Sequence, residues 1–170
     1  MSVILIEGPD KCGKTTLVKS LTTAGLLPRA KHLPDGPFRP LVIDGAVTGL
    51  ASTFLFFANE QQFWQDYATT PGDFVCDRGM ISMLVYQGYL LGNMPPIVIL
   101  NLYKTIMTDL NITEIVYLTN EPFEEYDDND LFEAYGYTQI RACYEDAIKL
   151  VESNFADIKI TRLDLSVDTH

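Results

Sequence analysis

Gly8-Pro9-Asp10-Lys11-Cys12-Gly13-Lys14-Thr15, near the start of the chain, fits the spacing G-x-x-x-x-G-K-[ST]. Glycines at both ends of such a loop let the backbone curl so that successive N–H groups point inward, and a helix beginning at the loop adds the partial positive charge of its N-terminus. Gly8, Asp10, Lys11, Cys12, Gly13, Lys14, Thr15 and Thr16 therefore form a candidate cradle for the phosphates of ATP. Lys14 is placed to reach the β and γ oxygens, and the Thr15 hydroxyl to ligate Mg2+. Further along, Asp77-Arg78-Gly79 closes a short apolar run. A carboxylate at a strand end suits Mg2+ held through water, and the adjacent arginine suits a phosphate. Lys14, Arg78 and Asp77 are thus candidates for phosphoryl-transfer chemistry, with Thr15 and Asp77 as the metal side.

These residues need elements that bring them together. Val3-Ile4-Leu5-Ile6 is apolar and rich in β-branched residues, so a strand leads into the loop. Lys14 to about Ala24 reads as the first helix, with Gly25 past its end. Residues 28–45 are rich in Pro and Gly and read as loop, with a short strand at Leu41-Val42-Ile43. Val47 to Tyr67 reads as a second helix, and Phe74-Val75-Cys76-Asp77 as a strand ending in the carboxylate. Helices follow over Met80–Leu91 and Pro96–Leu110, then a strand over Glu114–Leu118, a helix from Leu131 to about Glu152, and a closing strand over Ile158–Leu163. Strands alternating with helices predict a three-layer α/β/α domain around a parallel sheet of about five strands. In such sheets the ligand lies beyond the C-terminal ends of the strands, where Gly8, Asp77 and Thr119 all fall.

Bulk properties narrow the class. A chain of 170 residues that is 47% hydrophobic reads as one domain, residues 1–170, with enough apolar material for a core. A net charge of −11 argues against a nucleic acid as partner, whereas a small nucleotide needs only a few local cations and Mg2+. No apolar stretch approaches membrane-spanning length, which points to a cytoplasmic protein without a membrane partner. Cys12, Cys76 and Cys143 lack metal-ligand spacing and read as reduced thiols, and His32 and His170 form no metal site.

Asp77-Arg78-Gly79-Met80-Ile81-Ser82-Met83-Leu84-Val85-Tyr86-Gln87-Gly88 resembles the thymidylate kinase signature D-R-Y-x-x-S-x-x-A-Y-Q-G. Leu55-Phe56-Phe57-Ala58-Asn59-Glu60 resembles the L-F-x-A-[ND]-R segment of that family, and Gly8 to Lys14 matches its G-x-D-x-x-G-K. The resemblance implies the P-loop kinase fold and transfer of the ATP γ-phosphoryl group to a deoxynucleoside 5′-monophosphate, giving dNDP and ADP. It implies that Asp10 binds the sugar 3′-OH, and that Arg78 and Arg39 grip the acceptor phosphate. It implies Tyr86 beneath the deoxyribose 2′ carbon, Phe56 stacked on the base, and Ser82 or Gln87 near the base's Watson–Crick edge. Members of this family place a catalytic cation either in a lid or in the P-loop. Glu121 to Asp130, the reduced lid here, carries no arginine, which leaves Lys11 for that role. The family's homodimer implies a contact face on helices 47–67 and 80–91.

Two residues depart from the pattern. Glu60 stands where the family has an arginine that donates to thymine O4, and an ionised carboxylate cannot donate. It suits a base bearing an amino group, unless it turns to solvent. Gly79 replaces the family's tyrosine and removes bulk there. Both predict relaxed or altered base choice. Two other activities fit the same motifs. A deoxynucleoside kinase would use Asp44 as base toward a 5′-OH, and a non-catalytic module would bind nucleotide without transfer.

Overall fold

The computed structural model of the chain describes residues 2–25, 40–41, 45–67, 72–106, 111–123 and 135–167. Its sheet is made by β1 (Val3–Glu7), β2 (Phe74–Asp77) and β3 (Ile112–Leu118), mostly apolar runs with buried faces, and by β4 (Lys159–Leu163), a more polar strand at the edge. All pair in parallel in the order β2-β1-β3-β4. The chain leaves β1 toward one neighbour and later returns to its other side, so β1 is the switch point of the sheet. A ligand site is expected beyond its C-terminal end. In register, Ile6 faces Asp77 and Glu7 faces Tyr117, which sets Gly8, Arg78 and Leu118 along one rim.

Alternation along each strand divides the core. Val3 and Leu5, Phe74 and Cys76, and Ile115 and Tyr117 face one layer; Ile6, Val75 and Leu118 face the other. The second layer holds α1 (Lys14–Thr23) through Val18, with Leu17 and Leu21 partly buried beside it. The first holds a helical run that begins as α3 (Met80–Met83), together with α4 (Pro96–Ile106) and α5 (Tyr137–Asn154). Trp64 of α2 (Gly49–Tyr67) packs into it. The architecture is the three-layer α/β/α arrangement with a parallel sheet.

The sheet has four strands among the described residues rather than about five. Leu41 is helical and exposed, not extended, and 42–44 lie outside the described residues. The single helix read over Met80–Leu91 begins as α3 but continues as a π-helix over Leu84–Leu90. Its end shows a hydrogen bond from Leu91 N–H to Tyr86 O at 3.1 Å. Such widened turns re-aim side chains and occur often at functional sites. Pro96–Ile106 starts as expected, and 107–110 lie outside the described residues. The helix read from Leu131 to about Glu152 is seen as Tyr137–Asn154, with Gly136 at φ 73° capping its start and 131–134 outside the description. Arg39, Asp44 and lid residues 124–130 are outside it too.

Candidate active site

The loop after β1 has the backbone its glycines permit. Gly8 has φ 147° and Gly13 φ 94°, and Lys11, a non-glycine residue, is also left-handed at φ 59°. A side chain at Gly8 would meet the Leu118 carbonyl at 3.1 Å, and one at Gly13 would meet Leu165 at 3.0 Å and Phe123 at 3.3 Å. Tertiary contacts then hold the loop. Asn120 Nδ2 donates to Cys12 O at 3.2 Å and to Glu121 O at 3.0 Å, while its Oδ1 accepts from Leu165 N–H at 3.3 Å. The Asn120 carbonyl accepts from Cys12 Sγ at 3.3 Å and Tyr137 OH at 3.0 Å, and Phe123 N–H donates to Lys11 O at 3.0 Å.

Within this cradle the Lys14 ammonium is buried and donates to Pro9 O. It lies 4.0 Å from Asp10 Oδ1, and burial lowers its pKa against the pull of Asp77. The ammonium that the sequence aims at β and γ oxygens is thus turned back onto its own loop. Thr15 Oγ1 donates to Asp77 Oδ2 at 2.5 Å, which brings the two expected metal-side residues into contact. Their donors are all oxygen, the chemistry Mg2+ prefers. Among the described residues no further group of His, Cys, Asp and Glu is arranged to hold a metal.

Arg78 follows β2 with its N–H bonded to Ile6 O at 2.9 Å and a left-handed φ of 72°. A non-glycine residue held there costs on the order of 1 kcal/mol, which its surroundings must offset. Its guanidinium pairs with Asp10 and donates to Ser82 Oγ at 3.3 Å and Tyr144 OH at 3.2 Å. It also lies 5.7 Å from the centre of the Tyr86 ring. Tyr144 is fixed between Tyr117, stacked at 5.8 Å, and Tyr86, edge-on at 6.3 Å. Asp10, Lys14, Thr15, Asp77, Arg78 and Tyr86 are thereby gathered at one rim of the sheet.

Beneath them lies Glu7, fully buried. It accepts from Ser82 Oγ at 2.6 Å and from Ile81 N–H at 3.1 Å. Burial pushes its pKa up to about 7 against the opposing Ser82 bond and the charges of Arg78 and Lys14. Glu7, Tyr144 and Asn120 are site residues that motif reading passed over.

Several side chains sit otherwise than the sequence suggests. Ser82 gives its proton to Glu7, and Gln87 Oε1 accepts from Thr53 Oγ1 at 2.9 Å, Asn93 Nδ2 at 2.9 Å and Ser52 Oγ at 3.2 Å. The Ser82 proton and the Gln87 carbonyl are therefore spent inside the protein and not on a base edge. Glu60 is buried, not solvated, and its Oε1 lies 3.5 Å from Trp64 Nε1. Burial raises its pKa to about 8 despite the Trp64 bond, which favours the neutral acid, able to donate as well as accept, near neutral pH. Gly79 opens no acceptor space, because a Cβ there would come within 2.9 Å of Leu5 and 3.5 Å of Glu7. Phe56 is half-buried on α2.

No protein-family model matches the chain, and no curated protein matches its sequence. Solved structures do. The thymidylate kinase of Ehrlichia chaffeensis superposes with a TM-score of 0.68 at 19% identity, covering 97% of this chain and 92% of that one. The thymidylate kinase of Candida albicans gives 0.65 at 19%, covering 96% and 84%. The latter structure is described as revealing the origin of that enzyme's broad substrate specificity. The chain has the thymidylate kinase-like fold over nearly its whole length. Among the described residues no helix is long and apolar enough to cross a membrane.

Proposed function

We propose that the protein transfers the γ-phosphoryl group of ATP to the 5′-phosphate of a deoxynucleoside monophosphate. The observation that carries this reading is the meeting of Arg78 with Asp10 beside Lys14 and the Thr15–Asp77 contact. An arginine there faces a second phosphate, next to a loop shaped for a first. The thymidylate kinase neighbours support a nucleotide kinase in general terms.

Bound Mg2+ would supply charge neutralisation at the donor phosphates and would be held by Thr15 and Asp77. The chain's own groups do the rest. Backbone N–H groups from Asp10 to Thr16 bind the donor phosphates, and Lys14 swings from Pro9 O to the transferred group. Lys11 adds charge where the lid offers none. Arg78 exchanges Asp10 for the acceptor phosphate and aligns it in line with the donor, which frees the Asp10 carboxylate for the sugar 3′-OH. No general base is required, because the acceptor phosphate is already ionised near neutral pH. Tyr86, fixed against Arg78 and Tyr144, excludes a 2′-OH, while Phe56 and Arg39 complete the acceptor side. Base choice is relaxed: a neutral Glu60 can donate to a carbonyl or accept from an amino group, so it excludes neither thymine nor cytosine.

ADP release measured over dTMP, dCMP, dGMP, dAMP and the parent nucleosides tests this reading. Turnover of monophosphates, with no thousandfold preference for one base, is the expected result. Activity on nucleosides alone would replace it with a deoxynucleoside kinase, and calorimetric ATP binding without transfer would replace it with a binding module. A homodimer through α2, which leaves Leu50 and Phe54 exposed, would appear as doubled mass in light scattering.

A further inference from the structure

Glu7 has no part in the chemistry above, yet it is a carboxylate placed out of water at the centre of the sheet's rim. Its two oxygens do different work. Oε1 takes the N–H of Ile81, the second residue of α3, where Gly79 at the cap position offers no side chain. A carboxylate from β1 thus supplies the missing helix cap, favoured also by the helix dipole. Oε2 takes the single proton of Ser82. With that proton committed, the 3.3 Å contact between Ser82 Oγ and Tyr144 OH has the tyrosine as donor. Ser82 Oγ is left with its lone pairs toward Arg78 and Tyr144, and Arg78 donates into it.

We propose that Glu7 is the positioning residue of Arg78: through Ser82 and Tyr144 it holds the guanidinium in the left-handed, phosphate-facing pose that acceptor binding requires. This rests on the reading of Arg78 as the acceptor-phosphate cation. The chain of contacts runs β1 to α3 to α5 and back to the residue after β2, so no one of these elements can move without disturbing the arginine. When Glu7 binds a proton, Oε2 becomes a donor to Ser82 Oγ. Ser82 then turns its proton to Tyr144 OH, and Arg78 loses the carboxylate charge beside it. The hold on Arg78 weakens. The charged and titratable groups around Glu7 are Arg78 after β2, Lys14 of α1, Glu60 of α2, Cys76 of β2 and Tyr144 of α5. Burial holds Cys76 and Tyr144 neutral well above physiological pH. Glu60, its pKa raised to about 8, titrates in the same range, but Glu7 is the acid bonded to Ser82 and so the one that acts on Arg78 through it.

The test compares wild type, Glu7→Gln and Ser82→Ala in two independent readouts. The first is the acceptor KM, measured with the monophosphate that wild type turns over fastest, from pH 6 to pH 8.5. Glu7→Gln, whose amide donates to Ser82 as the protonated acid does, is expected to raise that KM about tenfold at pH 8. Its kcat should fall much less and its calorimetric ATP affinity should stay at the wild-type value. The wild-type KM should climb toward the variant's as pH falls through 7. The acceptor phosphate titrates in both proteins, so the ratio of the two KM values isolates Glu7. The second readout is the Arg78 guanidinium N–H signals in 15N NMR, assigned with Arg78→Lys. They are protected in wild type at pH 8 and lost in both variants. Wild-type Arg78 signals and a wild-type KM ratio in both variants would overturn the proposal. If Glu7→Gln does not fold, Ser82→Ala, which keeps the buried acid, is decisive in both readouts by the same criteria. If wild type phosphorylates no monophosphate, the reaction assigned above fails, and the Arg78 signals still decide the role of Glu7.

Discussion

The two halves of the site are built on opposite plans. Around Gly13 the backbone does the holding: loop amides form the cradle, and Asn120, Phe123 and Leu165 brace it through main-chain bonds and close packing. Around Arg78 side chains from four elements do it, through Asp10, Ser82, Tyr144, Tyr86 and the buried Glu7. Amides do not titrate, so the cradle's backbone should be indifferent to pH, with Lys14, whose pKa burial lowers, as the titrating side chain of the donor half. The acceptor half has Glu7 and Glu60 buried with pKa values of about 7 and about 8. One half is a shape and the other is an electrostatic balance.

Breaking the halves separately should show this. Arg78→Met is expected to lower kcat/KM for the acceptor about a thousandfold, the scale of removing a main charge-stabilising donor, while ATP affinity stays within about twofold. Stopped-time ADP assays and calorimetry measure the two, and an equal loss of ATP binding would mean the halves are one unit. Lys11→Ala should lower kcat about a hundredfold with both substrate affinities retained. An unchanged kcat would remove Lys11 from the machinery and reopen the source of charge on the donor side.

The same contrast explains what the sequence reveals. A cradle made of backbone is legible because only certain residues permit its geometry, and Gly8, Gly13 and Lys14 announce it at fixed spacing. β2 is legible because a fully buried parallel strand must be nearly continuously apolar, and Phe74–Asp77 is observed with the bounds read from the chain. The acceptor half depends on partners as far apart as Glu7 and Tyr144, and no local spacing records such contacts. One signal was present. Glu7 alternates with Val3 and Leu5 onto the core-facing side of β1, and a carboxylate in that position must find donors. Ser82 and Gln87 misled for the converse reason. Their polar atoms suit a base edge, but burial claimed them for Glu7 and for the Ser52–Thr53 turn of α2. The π-helical stretch Leu84–Leu90 was not legible either, since its residues have ordinary helical preferences.

The buried acids also sharpen the comparison through stability. Both carboxyls bind a proton more tightly in the folded chain than in the unfolded one, because burial disfavours their charged forms. The stability they add is therefore complete below the ordinary carboxylate range and is lost as pH rises through about 7 for Glu7 and about 8 for Glu60. For Glu60 the loss is on the order of a few kcal/mol. Glu60→Gln should accordingly unfold at a Tm roughly 10 °C above wild type at pH 9, and close to wild type at pH 4.5. Calorimetric scans at the two pH values check it, and a variant less stable than wild type at pH 9 would show that the ionised acid has a compensating partner.

The smallest effect probes the donor half, where a single side chain substitutes for a network. Asn120 donates to two carbonyls, Cys12 O and Glu121 O, and accepts from Leu165 N–H, so each of its polar atoms is used in joining the end of β3 to the loop and to the segment after β4. Removing the amide in Asn120→Ala leaves those partners to water or to nothing, at about 1 kcal/mol or more in loop order. ATP should bind some threefold to tenfold more weakly. Asn120→Asp keeps the shape but puts a carboxylate oxygen where an N–H met two carbonyls, and adds negative charge beside a phosphate site. It should therefore weaken ATP binding more than Asn120→Ala does, although it is the closer isostere. In both variants the acceptor's KM at saturating ATP should hold. If Asn120→Asp binds ATP as tightly as wild type, the loop keeps its shape by its own glycines, and the brace is packing without consequence for the ligand.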